Sequence, residues 1–156
     1  MIVCEIKEVT PVEYEAYAQS FIELMRFDPI VDEFFIDKAQ KAANIAESYS
    51  ARIPGKKYVA LAKKGSDIYG LAGLMTLSVK DAYVDVDYLC THPLTSQGGV
   101  LLIKHAVSVS KALGKGGTLR LYDASGGSFY DDLGFVPVEA GSGTKQLIHG
   151  VFKSRV

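Results

Sequence analysis

The stretch from Ala82 to Tyr122 constrains the fold more than any other part of the 156-residue chain. It reads "AYVDVDYLCT", then "VLLIKHAVSVSKALG", then "TLRLY". The first segment alternates apolar and polar residues as a half-buried strand does. The second is an apolar helix stopped by Gly114, and the third is another short strand. A strand, a crossover helix and a second strand in this order place the two strands side by side and parallel. Open sheets bind ligands beyond the carboxyl ends of such strands, near helix N-termini, and "CTHPLTSQGG" is an end of that kind.

The elements around this unit are antiparallel in character. "IVCEIKEV" predicts a half-buried first strand. Thr10, Pro11 and Glu13 form a T-x-x-E capping box with proline at the first helical position. Tyr14, Tyr17, Phe21, Leu24 and Met25 follow as one helical stripe, read as core rather than as a ligand box. A second helix carries Phe35, Ala39, Ala42, Ala46 and Tyr49 on one face and closes at "IPGK". "KYVALAKK" and "YGLAGLMTLSV" flank the turn chemistry of "GSD" and read as a hairpin. After the crossover come a short helix in "SFYDDLG", a strand in "FVPVEA" and a last strand in "KQLIHGVFK". The order is β-α-α-β-β-β-α-β-α-β-β, with no internal repeat or linker, so residues 1–156 are expected to form one domain.

Bulk properties exclude several classes. A formal net charge of -1 with scattered Lys and Arg gives no footprint for nucleic acid or an anionic membrane. Two cysteines, Cys4 and Cys90, make no CxxC, which fits a reducing, cytoplasmic setting. His92, His105 and His149 have no metal-ligand spacing, so no metal is expected. No apolar run approaches the roughly 20 residues of a membrane-spanning helix, and "MIVCEIKEVT" lacks the basic and long apolar regions expected of a signal peptide.

Candidate chemistry gathers in three places. Ser96, Gln97, Gly98 and Gly99 stand between a strand end and an apolar helix, where free N–H groups attract phosphate. Asp85 and Asp87 alternate with Val84 and Val86, so both carboxylates project from one strand face. Tyr130 stands in "FYDDLGF", just ahead of the glycine that ends a short helix. Cys90 has no histidine in triad relation to it and is not a nucleophile on this pattern, while His105 reads as an ordinary helix histidine.

Together, from about Tyr58 to Val138, these segments resemble the GNAT superfamily of acyl-CoA-dependent N-acyltransferases. "FYDDLGF" is similar to the family's F-Y-x-x-x-G-F segment. The family's N-x-x-A-x-x-F-Y falls on Asp123, Gly126, Phe129 and Tyr130, with Asp in place of Asn and Gly in place of Ala. "TSQGGV" is shorter than the family's R/Q-x-x-G-x-G/A loop and lacks its basic residue.

The resemblance implies an α+β fold: a mixed, mostly antiparallel sheet with one parallel pair and helices on both faces. It implies acetyl-CoA as co-substrate and a primary amine of a small molecule or peptide as acceptor, joined by direct attack in a ternary complex. The pantetheine arm would pair with the backbone of Leu89, Cys90 and Thr91, and an N–H there would stabilise the oxyanion. The diphosphate would lie on Ser96, Gln97, Gly98, Gly99 and Val100, with Asp123 also on the coenzyme side. Tyr130 would protonate the departing thiolate, and Asp85, or else Asp87, would take the ammonium proton. Phe27, Asp28, Asp32 and Glu33 fall where the family forms its acceptor wall. The shortened loop keeps an alternative open, a catalytically silent binding or regulatory protein of the same fold. The acceptor's identity and the oligomeric state, a homodimer among the options, are left undetermined by the sequence.

Overall fold

The computed structural model describes residues 2–27, 40, 44, 55–64, 67–91, 96–123 and 127–153. Its strands are β1 (Ile2–Val9), β2 (Lys56–Lys64), β3 (Asp67–Val79), β4 (Val84–Thr91), β5 (Leu119–Tyr122), β6 (Val136–Pro137) and β7 (Thr144–Leu147). The helices are α1 (Pro11–Phe27), α2 (Ser96–Ala112) and α3 (Phe129–Leu133). The strands join in the order β1-β2-β3-β4-β5-β7-β6. β4 and β5 are parallel, with Val84 opposite Leu119 and Val86 opposite Leu121, as the crossover requires. β1 with β2, β5 with β7 and β6 with β7 are antiparallel. This is the mixed α+β sheet expected. Of the second helix, only Gln40 and Asn44 are described; both are helical, and Gln40 Nε2 donates to Asn44 Oδ1 at 2.9 Å. Its stripe of Phe35, Ala39, Ala42, Ala46 and Tyr49, the "GS" of the hairpin turn, and Asp28, Asp32 and Glu33 lie outside the described residues.

The chain groups into two compact units, residues 1–76 with 88–102, and residues 77–87 with 103–156. In the first, the capping box forms as the sequence predicts. The Thr10 N–H donates to Glu13 Oε1 (3.0 Å) and the Glu13 N–H donates to Thr10 Oγ1 (3.2 Å). The helix it starts buries Tyr14, Ala18 and Phe21 against Val9, Val59, Leu61, Leu74, Tyr88 and Cys90. Tyr14 is fully covered, so its hydroxyl needs a partner, and Thr76 Oγ1 donates to it at 3.4 Å. Burial pushes the Tyr14 phenol up to about 12, so it remains a neutral core group. Lys57, also buried, sets its ammonium 5.1 Å from the centre of the Tyr14 ring. The aromatic stripe is core, as the pattern implied.

In the second unit Val84, Val86, Ile103, Ala106, Val107, Leu119, Leu121, Leu133, Phe135 and Leu147 are buried. Two strands are shorter than the sequence implied. "FVPVEA" yields only Val136–Pro137, because Pro137 brings no N–H to the ladder and the strand stands at the edge of the sheet. "KQLIHGVFK" leaves the sheet after Leu147, where His149 takes a positive φ of 56° and donates its N–H to Thr118 Oγ1 (3.1 Å).

Thr10→Ala removes one half of the capping box and is expected to lower stability by about 1 kcal/mol. A thermal melt should then fall by roughly 2–4 °C; an unchanged melt would deny the box any part in stability.

Candidate active site

β4 sorts its residues strictly. Val84, Val86, Tyr88 and Cys90 are buried, whereas Asp85, Asp87, Leu89 and Thr91 are half-buried. The two carboxyl groups therefore share a face, as their spacing implied, and they hydrogen-bond to each other. Ser78 Oγ donates to Asp87 Oδ1 at 2.9 Å, so Asp87 is held from the side of β3 as well. Burial raises the Asp85 pKa above the ordinary carboxyl value, and the charge of Asp87 raises it further. Lys80 and Arg120 act in the opposite direction but more weakly. Arg120 stands opposite Asp85 in the parallel register and stacks its guanidinium 4.4 Å from the Tyr83 ring centre. Its Nε is buried with no hydrogen-bond partner among the described residues. A carboxyl group with a raised pKa, backed by a second acid, is suited to accept a proton closer to neutrality than a solvated Asp can.

The end of β4 and the start of α2 belong to the first unit. Burial pushes the Cys90 thiol up to about 12, so it carries no thiolate and is no nucleophile. What Cys90 can offer is its backbone, together with that of Leu89 and Thr91. A Cβ added to Gly73 would lie 2.9 Å from Leu102 Cδ1 and 3.0 Å from the Cys90 carbonyl oxygen. Glycine at 73 thus lets Leu102 of α2 settle against this segment. The parallel register with β5 ends at Val86 opposite Leu121, while β4 continues to Thr91.

The glycine segment differs from the sequence expectation. Ser96, Gln97, Gly98 and Gly99 are not a loop before the helix; they are its first turn, since α2 begins at Ser96. The reason is packing. Gly98 and Gly99 are buried, and a Cβ on Gly98 would meet Ala72 Cβ at 2.9 Å and the Ala72 carbonyl oxygen at 3.0 Å. The glycine allows the helix to start against β3. The first four N–H groups of a helix have no partner within it, so this turn still presents donors, and it carries no acidic residue to repel an anion. His92, Pro93, Leu94 and Thr95 lie outside the described residues.

Tyr130 lies on α3 in the second unit, with Asp85, Asp87 and Asp123. Gly134, at φ 120°, caps this short helix, and the N–H groups of Gly134 and Phe135 both donate to the Tyr130 carbonyl oxygen (3.2 and 3.0 Å). The half-buried Tyr130 ring meets Phe129 and Phe135 edge-on, at centroid distances of 5.1 and 5.6 Å. Asp123 is committed to a partner that the sequence does not reveal. Its carboxylate, only 2% exposed, pairs with Lys145 Nζ at 2.8 Å, and the same ammonium pairs with Asp131 at 2.8 Å. These two hydrogen bonds, Asp123 first, hold the Lys145 pKa above the ordinary lysine value. Ser78, Arg120, Gly73 and Lys145 all escape sequence reasoning, because each acts on a residue that only the sheet or α2 brings near. His105 is a half-buried residue of α2. Among the described residues no group of three His, Cys, Asp or Glu side chains could hold a metal, and no helix is long and apolar enough to cross a membrane.

The seven-strand order with β4 and β5 parallel is the GNAT fold, and solved structures agree. A PaiA N-acetyltransferase from Thermoplasma acidophilum in complex with coenzyme A is 18% identical, with a TM-score of 0.54 over 92% of this chain and 98% of that one. A GNAT family acetyltransferase from Brucella melitensis in complex with acetyl-CoA is 17% identical, with a TM-score of 0.54 over 97% and 91%. The ribosomal-protein-S18-alanine N-acetyltransferase from Escherichia coli is 16% identical, with a TM-score of 0.53 over 99% of both chains. No family model and no curated protein matches the sequence. At these identities the likeness establishes the fold.

A raised carboxyl pKa lowers stability as pH rises, because the folded state holds its proton longer than the unfolded state does. The loss begins near the ordinary Asp pKa and is complete above the raised one. Asp85→Asn should therefore melt higher than the parent protein at neutral pH, with the difference vanishing at acid pH below the ordinary carboxyl range. Equal melts throughout would contradict the strained pair.

Proposed function

We propose that the protein is an acyl-CoA-dependent N-acetyltransferase that moves acetyl from acetyl-CoA to a primary amine of a small molecule or peptide. One observation carries the reading. The ladder to β5 stops at Val86, and β4 runs on to Thr91. A strand end of that kind supports addition of the amide-bearing pantetheine arm along the backbone of Leu89, Cys90 and Thr91. The N–H groups of the first turn of α2, Ser96 to Gly99, and of Val100 after it, then suit the diphosphate.

The chemistry follows from the residues. The acceptor arrives as an ammonium without a free electron pair, and Asp85, supported by Asp87, takes its proton directly or through water. The freed amine nitrogen attacks the thioester carbon while a backbone N–H of the Leu89–Thr91 segment holds the developing oxyanion. The carbon–sulfur bond breaks, and Tyr130 gives its phenolic proton to the sulfur. A phenol is ordinarily a weaker acid than a thiol, about 10 against about 8.5, so placement of Tyr130 counts for more than its acidity. Asp123, paired with Lys145, serves the coenzyme side by holding the end of β5 rather than through its own carboxylate.

A second reading, a binding protein of this fold without turnover, is favoured by the packing of Gly98 on Ala72, which accounts for the glycine without any ligand. Calorimetric titration with acetyl-CoA and CoA separates the two. On the enzyme reading both bind, and coenzyme at about a hundred times Kd adds roughly 2.7 kcal/mol, raising the melt by about 5–10 °C. Tyr130→Phe should then lower kcat by about 10²–10⁴-fold and leave coenzyme affinity nearly unchanged. Absence of binding at millimolar coenzyme would overturn the enzyme reading and leave the silent one, as would binding with no turnover on any amine.

A further inference from the structure

We infer that Lys145 is a positioning residue for Tyr130, holding α3 to the end of β5 through one ammonium shared by Asp131 and Asp123. The consequence for turnover rests on the acetyl-transfer reading above; the tether itself does not.

α3 is five residues long, too short to hold its shape alone, and its N-cap residue Ser128 makes no side-chain capping bond. Its C-terminal end is fixed by Gly134 and by the Lys153 N–H donating to the Leu133 carbonyl at 2.9 Å. Lys145 acts on the turn that carries the tyrosine. It stands on β7 opposite Leu121 of β5 and Pro137 of β6, inside the sheet rather than on a loop. From there its ammonium lies 2.8 Å from Asp123, directly after β5, and 2.8 Å from Asp131, the residue bonded to Tyr130.

The two pairs differ in kind. Asp123 is 2% exposed and Lys145 13%, so that contact is a shielded anchor, whereas Asp131 is 49% exposed and forms the outer arm. Asp123 is itself held by its N–H, which donates to the Gly143 carbonyl at 2.9 Å next to β7. Loss of the ammonium therefore cuts the link that joins Asp131 of α3 to Asp123 at the end of β5. Arginine keeps the charge and reaches two acceptors with separate N–H groups, so it should preserve the link.

The test places 3-fluorotyrosine at position 130 of the full chain and records its fluorine resonance in the parent, Lys145→Met, Lys145→Arg and Asp131→Asn backgrounds. Lys145→Met and Asp131→Asn should each shift or broaden the resonance, and Lys145→Arg should return it to the parent position. Where Lys145→Met fails to fold for want of the buried counter-charge, Asp131→Asn decides, because it removes the charge of the exposed arm alone. With an amine that is turned over, Asp131→Asn should lower kcat about tenfold or more while the acceptor KM stays within about twofold. An unmoved resonance in Asp131→Asn would overturn the inference. A displaced resonance in a protein that binds no coenzyme would support the tether and remove the acetyl-transfer reading, so the two fail separately.

Discussion

β4 has to bury one set of side chains and keep the other half open, and the fold is arranged around that division. Val84 and Val86 are buried in the second unit, and Tyr88 and Cys90 enter the α1 core of the first. The alternate positions hold two acids, then Leu89 and Thr91. A slip of one residue would bury Asp85 and Asp87 fully and expose the valines, so register is strongly specified. The same strict alternation collects the acid pair and the strand end on one element. The acids cost stability through desolvation, a cost that the apolar set on the other side offsets.

Much of this was legible because it is local. The capping box, the aromatic stripe of α1 and the Gly134 helix stop each depend on residues a few positions apart, where spacing translates directly into geometry, and the parallel pair follows from the handed crossover of its helix. The shared face of Asp85 and Asp87 is legible for the same reason, since strand periodicity is fixed. The shielded state of Cys90 and the raised pKa of Asp85 are consequences of burial, which the pattern implies in direction only.

The rest depends on distant partners. Lys145 looks like any surface lysine until β7 enters the sheet between β5 and β6 and brings it to Asp123. Asp123 stands where the resembled segment has Asn, and the added charge is answered by that lysine. Gly98 reads as loop chemistry, yet its neighbour is Ala72 of β3, so its presence allows close approach of helix and strand and moves the helix start back to Ser96. Pro137 and His149 shorten the last strands by a missing N–H and a positive φ respectively. Apolar content alone signalled neither effect.

On the proposed function, the end of β4 and the first turns of α2 hold an acyl-CoA. Amide chemical-shift mapping of the full chain with added CoA tests it most directly. Saturable shifts are expected at the N–H groups of Leu89 to Thr91 and of Ser96 to Val100. Amides in both segments that stay unmoved at millimolar CoA, or shifts confined to other strands, would contradict it.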